Sequence, residues 1–394
     1  MLLAYRCLSC IVSIASSSNE LLFIQLSKSP LNPEERGENS VPNHAGATLE
    51  PVSSATRSRF SQEYAELKQI VKQRGLLERQ PAYYAGMILV TLALLGLSLL
   101  LLVGIDNLWL QLLNAVFLAF VFTQLGFIGH DLGHRQTMRE NWRNLVASLI
   151  FGNLLIGISR SWWVEKHNQH HAHPNQIDLD PDIDFPFLAF SKEQACDTRG
   201  LGRVIVRYQA YWLLPLFCLS AFSLHSNSIR HLLERRATHG LVEASLLIAH
   251  YLWYFLLPFY LLGFWPALLF IIVNKVAFGL YMALVFAPNH KGMPVLSASD
   301  ELDFMRQQIL TSRNVRGGLL TDYLYGGLNY QIEHHLFPGM PRNQLGKASK
   351  IVRAMCQRYG IAYYETSWLQ SYKEILNHMH AVSAPLRADT VWSD

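Results

Sequence analysis

The sequence predicts an all-α, multi-pass membrane protein with four transmembrane helices in two hairpins, further interfacial helices and a cytoplasmic helical cap. Two observations predict this class. Of the 394 residues, 51% are hydrophobic and 16% are charged, whereas a soluble domain usually has about 25% charged residues. The apolar residues are also gathered in long uncharged stretches, as in membrane spans. The composition therefore argues against an ordinary soluble enzyme and against a disordered protein, which would be poor in apolar residues.

The uncharged stretches are long enough for four spans. A bilayer core ~30 Å thick is crossed by about 20 helical residues. Residues 83–129 contain one charged side chain, Asp106, and predict one hairpin, while residues 243–287 predict a second hairpin with its turn at 263–266. The predicted spans are about 83–104, 108–129, 243–262 and 266–287.

The basic residues predict the orientation of these hairpins. Lysine and arginine are absent from both short turns and are concentrated in the N-terminal, middle and C-terminal regions. Because loops rich in basic residues are retained on the cytoplasmic side, we expect these three regions in the cytoplasm and both turns outside.

Two weaker apolar stretches, 145–158 and 209–224, are too short to span a bilayer. A crossing by either one alone would also reverse the orientation that the charges favour. We therefore expect both to form helices that lie in the membrane interface. The remaining boundaries are a disordered N-terminal tail over 1–58, a membrane domain over 59–380 and a C-terminal tail over 381–394.

Histidines form three tight groups on the predicted cytoplasmic side. The groups read HDLGH at 130–134, HNQHH at 167–171 and QIEHH at 331–335. Helical residues at i, i+3 and i+4 share a face, so each group presents its imidazoles to one point. Neutral imidazole suits Fe, Zn, Cu and Ni, and the histidines are too many for one tetrahedral zinc, so they predict two metals with open positions. The candidate ligands are His130, His134, His167, His170, His171, His334, His335 and the isolated His290.

Other histidines and one lysine have weaker claims. A single HxxxH pair is more often a surface pair than a metal site, but two HxxHH-like groups on one side of a membrane are rare without a metal. His173 and the scattered histidines predict no ligand role. His250 and Lys275 lie within spans, where an ionisable group is a functional candidate, although for Lys275 a structural role is equally open.

Several carboxylates lie in or beside the histidine groups. A metal-bound histidine usually donates its other N–H to a carboxylate or carbonyl, and Asp131, Glu165 and Glu333 are placed to accept it. The acidic run at 178–184 either contributes in the same way, docks a basic partner or is a solvated loop.

These motifs, in this order and interleaved with two hairpins, resemble those of the membrane fatty acid desaturases. The resemblance covers about residues 80–365. Gln331, in place of a histidine, resembles the front-end and related acyl-lipid or acyl-CoA branch. The stretches GNLLIGISRSWWVEKHNQHHAHPN, FAPNHKGMP and GGLNYQIEHHLFPGMPR are similar to bacterial members, so a bacterial cell membrane is expected rather than the endoplasmic reticulum.

The resemblance implies a di-iron centre, with O₂ as co-substrate, that removes two hydrogens from neighbouring methylenes of a fatty acyl chain. By position, the implied catalytic and iron-binding residues are His130, His134, His167, His170, His171, His334 and His335. His290 and Gln331 are further implied metal ligands, although Gln331 replaces the usual histidine.

The resemblance also bears on the partners. The His-Pro-Gly-Gly signature of a fused haem domain is absent from the sequence, so we expect a separate electron donor, such as a ferredoxin-type or flavin reductase protein. A fatty acyl substrate and membrane lipids are the other expected partners, and nucleic acid is not expected.

Two other functions use similar residues. A related di-iron membrane hydroxylase would have the same histidines and leave an alcohol in place of a double bond. A non-catalytic membrane metal carrier or a bis-histidine haem protein belongs to another class. A carrier should have polar groups along its spans, whereas the histidines here are grouped at one face, and a haem protein would have a Soret band.

Overall fold

The computed structural model describes residues 22–23, 50–51, 54–297, 300 and 302–388. The predicted disordered tail over 1–58 falls mostly outside the described residues, as does 389–394 of the predicted C-terminal tail. Helix begins within the first of these predicted tails and continues into the second, and the predicted domain boundaries stay predictions.

The described part of the chain is almost entirely helical. Its α-helices are α1 (Ser54–Gln73), α2 (Pro81–Gly104), α3 (Leu108–Gly133), α4 (Asn141–Ser148), α5 (Arg160–Ala172), α6 (Lys192–Asp197), α7 (Gly200–Arg207), α8 (Gln209–Cys218), α9 (Ser220–Leu233), α10 (Gly240–Leu262), α11 (Phe264–His290), α12 (Phe304–Leu310), α13 (Leu319–Leu324), α14 (Gln331–Leu336), α15 (Arg342–Tyr359), α16 (Trp368–Val382) and α17 (Ala384–Ala388). A π-helix, Leu149–Ile156, follows α4. Short strands β1 (Leu22–Phe23) and β2 (Glu50–Pro51) pair antiparallel, and β3 (Asn314–Val315) and β4 (Glu365–Thr366) pair parallel.

Four helices, α2, α3, α10 and α11, are long and apolar enough to cross a membrane. They pack as two hairpins, α2 with α3 and α10 with α11, and α11 also lies along α3. The predicted all-α fold with four spans in two hairpins is therefore confirmed. Each helix extends a few residues past its predicted bounds, because polar residues such as the histidines continue the helical turns beyond the apolar stretch.

A glutamine closes the turn of the first hairpin. The Gln111 side chain of α3 donates to the carbonyls of Leu101, Leu102 and Ile105 at distances of 2.7–3.1 Å. The last carbonyls of a helix have no partner within the helix, and a buried carbonyl without a partner costs free energy. Gln111 therefore satisfies the end of α2 and fixes α3 beside it.

The predicted interfacial segment 145–158 forms α4 and the π-helix, which turn through 107° into α5. If this bent pair is counted as one span, the described chain has up to five. Glu243 of α10 holds the bend: its carboxylate accepts from Ser159, Ser161 and Asn153. The buried carboxylate at the start of α5 also complements the helix dipole. The bend thus brings α5 across the ends of the spans.

Two histidines and a lysine support this bend from inside the membrane region. His225 Nδ1 lies 2.9 Å from the Gly157 carbonyl, and His250 Nδ1 lies 3.0 Å from the Leu154 carbonyl. Lys275 Nζ lies 2.8 Å from His225 Nε2. These contacts satisfy carbonyls that the broken helix leaves free, so His250 and Lys275 have a structural role here.

The remaining helices form a cap over the histidine-bearing ends of the spans. Leu67 and Val71 of α1, Ile332 of α14 and Val352 of α15 share one buried core. On another side, α16 packs on α8 and α11. The cap places α14, with the third histidine group, against the ends of α3 and α11.

Candidate metal centre

Each histidine group lies at or near the end of a helix that reaches the same region. His130 is in the last turn of α3, and His134 follows as its C-terminal cap. The second group is the C-terminal half of α5, the third is α14, and His290 is the last residue of α11. The fold therefore brings together all eight predicted histidines and Gln331.

Five of these histidines form one set, which we call the five-histidine cluster. Its members come from three helices and converge through their Nε2 atoms. His167 Nε2 lies 2.8 Å from His134 Nε2 and 3.1 Å from His171 Nε2. His171 Nε2 is in turn 3.1 Å from His334 Nε2, and the His130 ring lies 4.7 Å from that of His334. The members are His130, His134, His167, His171 and His334.

The other three histidines form a second set, the three-histidine cluster. His290 Nε2 lies 3.2 Å from His170 Nε2 and 3.1 Å from His335 Nε2. The Gln331 amide is 3.0 Å from the same His290 atom. The clusters are adjacent, because the rings of His171 and His335 stack with centroids 4.2 Å apart.

This geometry fits metal ions. A metal–nitrogen bond of ~2.1 Å places two cis ligand nitrogens about 3 Å apart, as observed within both clusters. Each neutral imidazole has a single N–H hydrogen for its two nitrogens, so the closely spaced Nε2 atoms of the five-histidine cluster cannot all be paired by hydrogen bonds. His130 Nε2 is buried without a hydrogen-bond partner, and a metal in the five-histidine cluster would supply one.

In four of the eight histidines the opposite ring nitrogen, Nδ1, faces an acceptor. His130 Nδ1 lies 3.1 Å from Asp131, and His170 Nδ1 lies 3.0 Å from both oxygens of Asp180. His290 Nδ1 is 3.0 Å from the Thr311 carbonyl, and His335 Nδ1 is 2.7 Å from the Gln308 side-chain oxygen. A proton held on Nδ1 leaves the Nε2 lone pair free for a metal.

Three of the cluster imidazoles are held in the neutral form. Burial, followed by repulsion from neighbouring imidazoles, holds the pKa values of His134, His334 and His335 well below the usual histidine value. Metal ligation needs the neutral form, so the site is ready to bind a cation at neutral pH.

The predicted carboxylates divide into two groups. Asp131 contacts a ligand imidazole, and so does Asp180 of the acidic run. Glu165 instead pairs with Arg236. Glu333 accepts from Asn314 and Tyr363, and burial, as the main cause, raises its pKa to about 7. The next residue, His334, is a cluster histidine, but the Glu333 side chain contacts Asn314 and Tyr363 and not a cluster imidazole.

Sequence reasoning missed Gln308 and Thr311, the partners of His335 and His290. Both are on or just after α12, about twenty residues before α14, and no spacing pattern connects them to the histidine groups. It also missed Trp163, whose ring stacks on His167 with centroids 4.5 Å apart. Gly133 leaves room for this indole, since a Cβ atom there would overlap the ring.

Comparison with known proteins agrees with the site. The family model described as "Fatty acid desaturase" matches residues 107–367. The chain belongs to the fatty acid desaturase family. Among similar proteins, the Acyl-lipid (9-3)-desaturase of Physcomitrium patens is 30% identical over 82% of this chain and 62% of its own length. The Delta(6)-fatty-acid desaturase of Caenorhabditis elegans is 31% identical, over 84% of this chain and 79% of its own.

A third similar protein is the Delta(8)-fatty-acid desaturase of Euglena gracilis, which is 31% identical over 80% of this chain and 77% of its own length. The match to the Physcomitrium protein spans less than two thirds of the length of that protein. The family match of residues 107–367 contains all three histidine groups and His290. The two clusters are thus the histidine arrangement of a fatty acid desaturase family member, and the resemblance inferred from the motifs is confirmed.

Proposed function

We propose that this chain is an oxygen-dependent fatty acyl desaturase that introduces a double bond into a membrane-lipid or acyl-CoA chain. One observation carries the proposal. Eight histidines from four helices and their caps converge as two adjacent clusters at the ends of the spans. Neighbouring Nε2 atoms within each cluster are about 3 Å apart. The family membership supports an acyl substrate.

Two iron ions are the proposed occupants, one in each cluster. A reduced di-iron centre activates O₂ for attack on an unactivated C–H bond, which acid–base side chains cannot achieve. The protein would hold the metals through Nε2 atoms, and acceptors on Nδ1 orient four of the rings, those of His130, His170, His290 and His335. The proposed catalytic and metal-binding residues are His130, His134, His167, His170, His171, His334 and His335, with His290 as a further metal ligand.

Gln331 is the proposed fourth side chain of the three-histidine cluster. Its Nε2 atom faces His290, and its Oε1 accepts from Asn289 at 3.0 Å. A half-turn of the amide directs Oε1, a neutral ligand atom, at the cluster. Asn289 Oδ1 is buried without a partner, and a half-turn of its own amide directs this oxygen at the Gln331 N–H. This arrangement supports Gln331 as an oxygen ligand.

The electron donor is proposed to be a separate carrier of the ferredoxin or flavin reductase type. The absence of His-Pro-Gly-Gly from the 394 residues supports this. The purified chain should be inactive with NAD(P)H alone and should become active when such a carrier is added. Activity with NAD(P)H and no carrier would refute the proposal.

The histidine-bearing face is proposed to be cytoplasmic, because the turns at the other ends of the spans contain no Lys or Arg. The motifs favour a bacterial cell membrane, whereas the three similar proteins are all eukaryotic. Because these relatives are eukaryotic, we propose the endoplasmic reticulum, and not a bacterial cell membrane, as the membrane of this protein.

Expression in a host without polyunsaturated lipids tests the function. New double bonds should be located in the host fatty acids by mass spectrometry, with loss of two hydrogens per product. A hydroxylase would instead add one oxygen, and that product would replace the proposal.

The matching variants are His170→Ala and His335→Ala, which should abolish the product and lower the iron content while membrane insertion is kept. His173→Ala is the control, since His173 contacts Gln176 and not a cluster. Full activity of both cluster variants would contradict the site.

A further inference from the structure

Helix α13 precedes the third histidine group in the sequence and exposes large apolar side chains. Its six residues read LLTDYL, and Leu319 and Leu320 are 96% and 70% exposed. The helix is too short to be among the candidate spans. Adjacent exposed apolar side chains of this kind indicate a surface that is covered by a binding partner or by lipid.

The contacts of α13 show how deep it lies. The Tyr323 ring is 6.2 Å from that of Phe120, and the Tyr281 hydroxyl donates to the Leu324 carbonyl at 2.7 Å. Phe120 precedes His130 by ten residues of α3, and Tyr281 precedes His290 by nine residues of α11. At 1.5 Å per residue, Phe120 and Tyr281 lie about 14–15 Å further along the helix axes toward the bilayer centre than His130 and His290 do.

The direction of the side chains places α13 still further from the histidines. Helical side chains lean toward the N-terminus of their helix. The N-termini of α3 and α11 are at the ends far from the histidines, so the rings of Phe120 and Tyr281 lean away from the clusters. Helix α13 therefore lies at the depth of the spans and not above them.

The position of α13 around the bundle is equally informative. Trp109, Leu113 and Val116 follow one stripe of α3 and are 74%, 66% and 48% exposed, as lipid-facing residues are. Phe120 continues this stripe one turn further, and it is there that Tyr323 covers it. Helix α13 thus extends a surface that already faces lipid.

We propose that α13 is a re-entrant segment inserted among the acyl chains of the bilayer, where it forms the lip of the opening by which a substrate chain approaches the clusters. Both ends of α13 return to the cap, so the topology of the spans is unchanged. The lipid contact stands on the depth and exposure of α13, whereas the opening rests on the proposed desaturase function.

The residues behind α13 connect this lip to the clusters. Phe120 and Tyr281 stack with centroids 6.0 Å apart, and Tyr281 contacts Phe127 edge-on at 6.4 Å. Phe127 precedes His130 by three residues and packs against Gly326, where a Cβ atom would lie 2.6 Å from the ring. An apolar wall therefore runs from the lip to the five-histidine cluster.

Lipid insertion is tested by fluorescence in vesicles. In a chain whose five cysteines are replaced by serine, Leu319→Cys and Leu320→Cys are labelled with NBD and reconstituted with doxyl-labelled phosphatidylcholine. Leu113→Cys is the lipid-facing control, and Lys350→Cys, exposed on the cap, is the aqueous control. Quenching at 319 and 320 should match position 113. Quenching like that at position 350, or shielding from both lipid and aqueous quenchers, would overturn the proposal.

The opening is tested by kinetics. Leu320→Glu places a charge among the acyl chains, and we expect the half-saturating substrate concentration to rise about tenfold with kcat and metal content kept. Leu233→Glu, at a residue 78% exposed at the end of α9, is the matched control. The uncharged Leu320→Asn should change the same parameter less.

An unchanged half-saturating concentration in both Leu320 variants would refute the opening. If the unaltered chain forms no double bond, the proposed function fails, and the quenching result still decides whether α13 is inserted in lipid.

Discussion

Asp131 and Asp180 each accept a hydrogen bond from the Nδ1 atom of a cluster histidine, and they act on different clusters. Asp131 also accepts from Tyr84 and Arg342, at 3.0 and 2.5 Å. It therefore ties α3 to α2 and α15. Asp180 accepts from the backbone N–H groups of Asn175 and Asp182. Both carboxylates are therefore fixed by other hydrogen bonds in addition to the one that each accepts from an imidazole.

Asp180→Ala should weaken metal binding by the three-histidine cluster about tenfold, because loss of such a partner frees the His170 ring to rotate. Co²⁺ titration followed by absorption measures this affinity without any turnover. Asp184→Ala is the control, since Asp184 is exposed in the same acidic run. Equal affinities of the two variants would show that Asp180 does not position His170.

The side chain of Gln331 can be tested as a metal ligand by substitution. Gln331→Leu, similar in volume, removes the proposed oxygen ligand and should lower the iron bound per chain. Gln331→His restores a ligand atom and should retain iron. Iron content by mass spectrometry distinguishes them, and equal iron in Gln331→Leu and the unaltered chain would exclude Gln331 as a ligand.

Among the elements, α5 depends most on a distant part of the chain. Its first turn is held by Glu243, which lies about eighty residues later on α10. The bend before α5 also depends on Gly157, whose φ of 73° is left-handed and favours glycine. A Cβ atom there would overlap the His250 ring.

Glu243→Ala should therefore lower the free energy of unfolding by roughly 2–4 kcal/mol, because Ser159, Ser161 and Asn153 lose a buried acceptor. The thermal midpoint and the iron content should both fall, since α5 carries three of the cluster histidines. Glu234→Ala removes an exposed pair with Arg230 and should change little. Equal melting of the two variants would contradict this role of Glu243.

The elements also show what a sequence can predict. The spans can be predicted because uncharged apolar runs of bilayer length are rare outside transmembrane helices. The histidine groups can be predicted because their i, i+3, i+4 spacing is local. The π-helix, the bend and the depth of α13 depend on contacts between residues far apart, such as Tyr281 with Leu324. The assignment of His170 to a different cluster from His167 and His171 likewise required the positions of α11 and α14.

For the molecule as a whole, the buried imidazoles predict a pH dependence. The pKa values of His134, His334 and His335 are lowered by burial first and neighbouring imidazoles second. The unfolded chain has histidine pKa values of ~6.5, so it binds more protons than the folded chain at acidic pH. The stability should be complete above about pH 6.5 and should fall as the pH drops below it.

Thermal midpoints of the metal-free chain between about pH 8 and pH 5 test this. The double variant His334→Gln, His335→Gln should show a shallower acid loss, because it has fewer imidazoles to protonate. A midpoint that is flat or rises on acidification would refute the prediction.

The direction of the helices around the clusters has an electrical consequence. Helices α3, α5 and α11 all end at the two histidine clusters, with His130, His171 and His290 in their last turns. The C-terminus of a helix carries about half a negative charge from its aligned peptide dipoles. These three helix ends therefore direct negative partial charge at the two clusters, and this charge would favour a cation bound there at the edge of the bilayer.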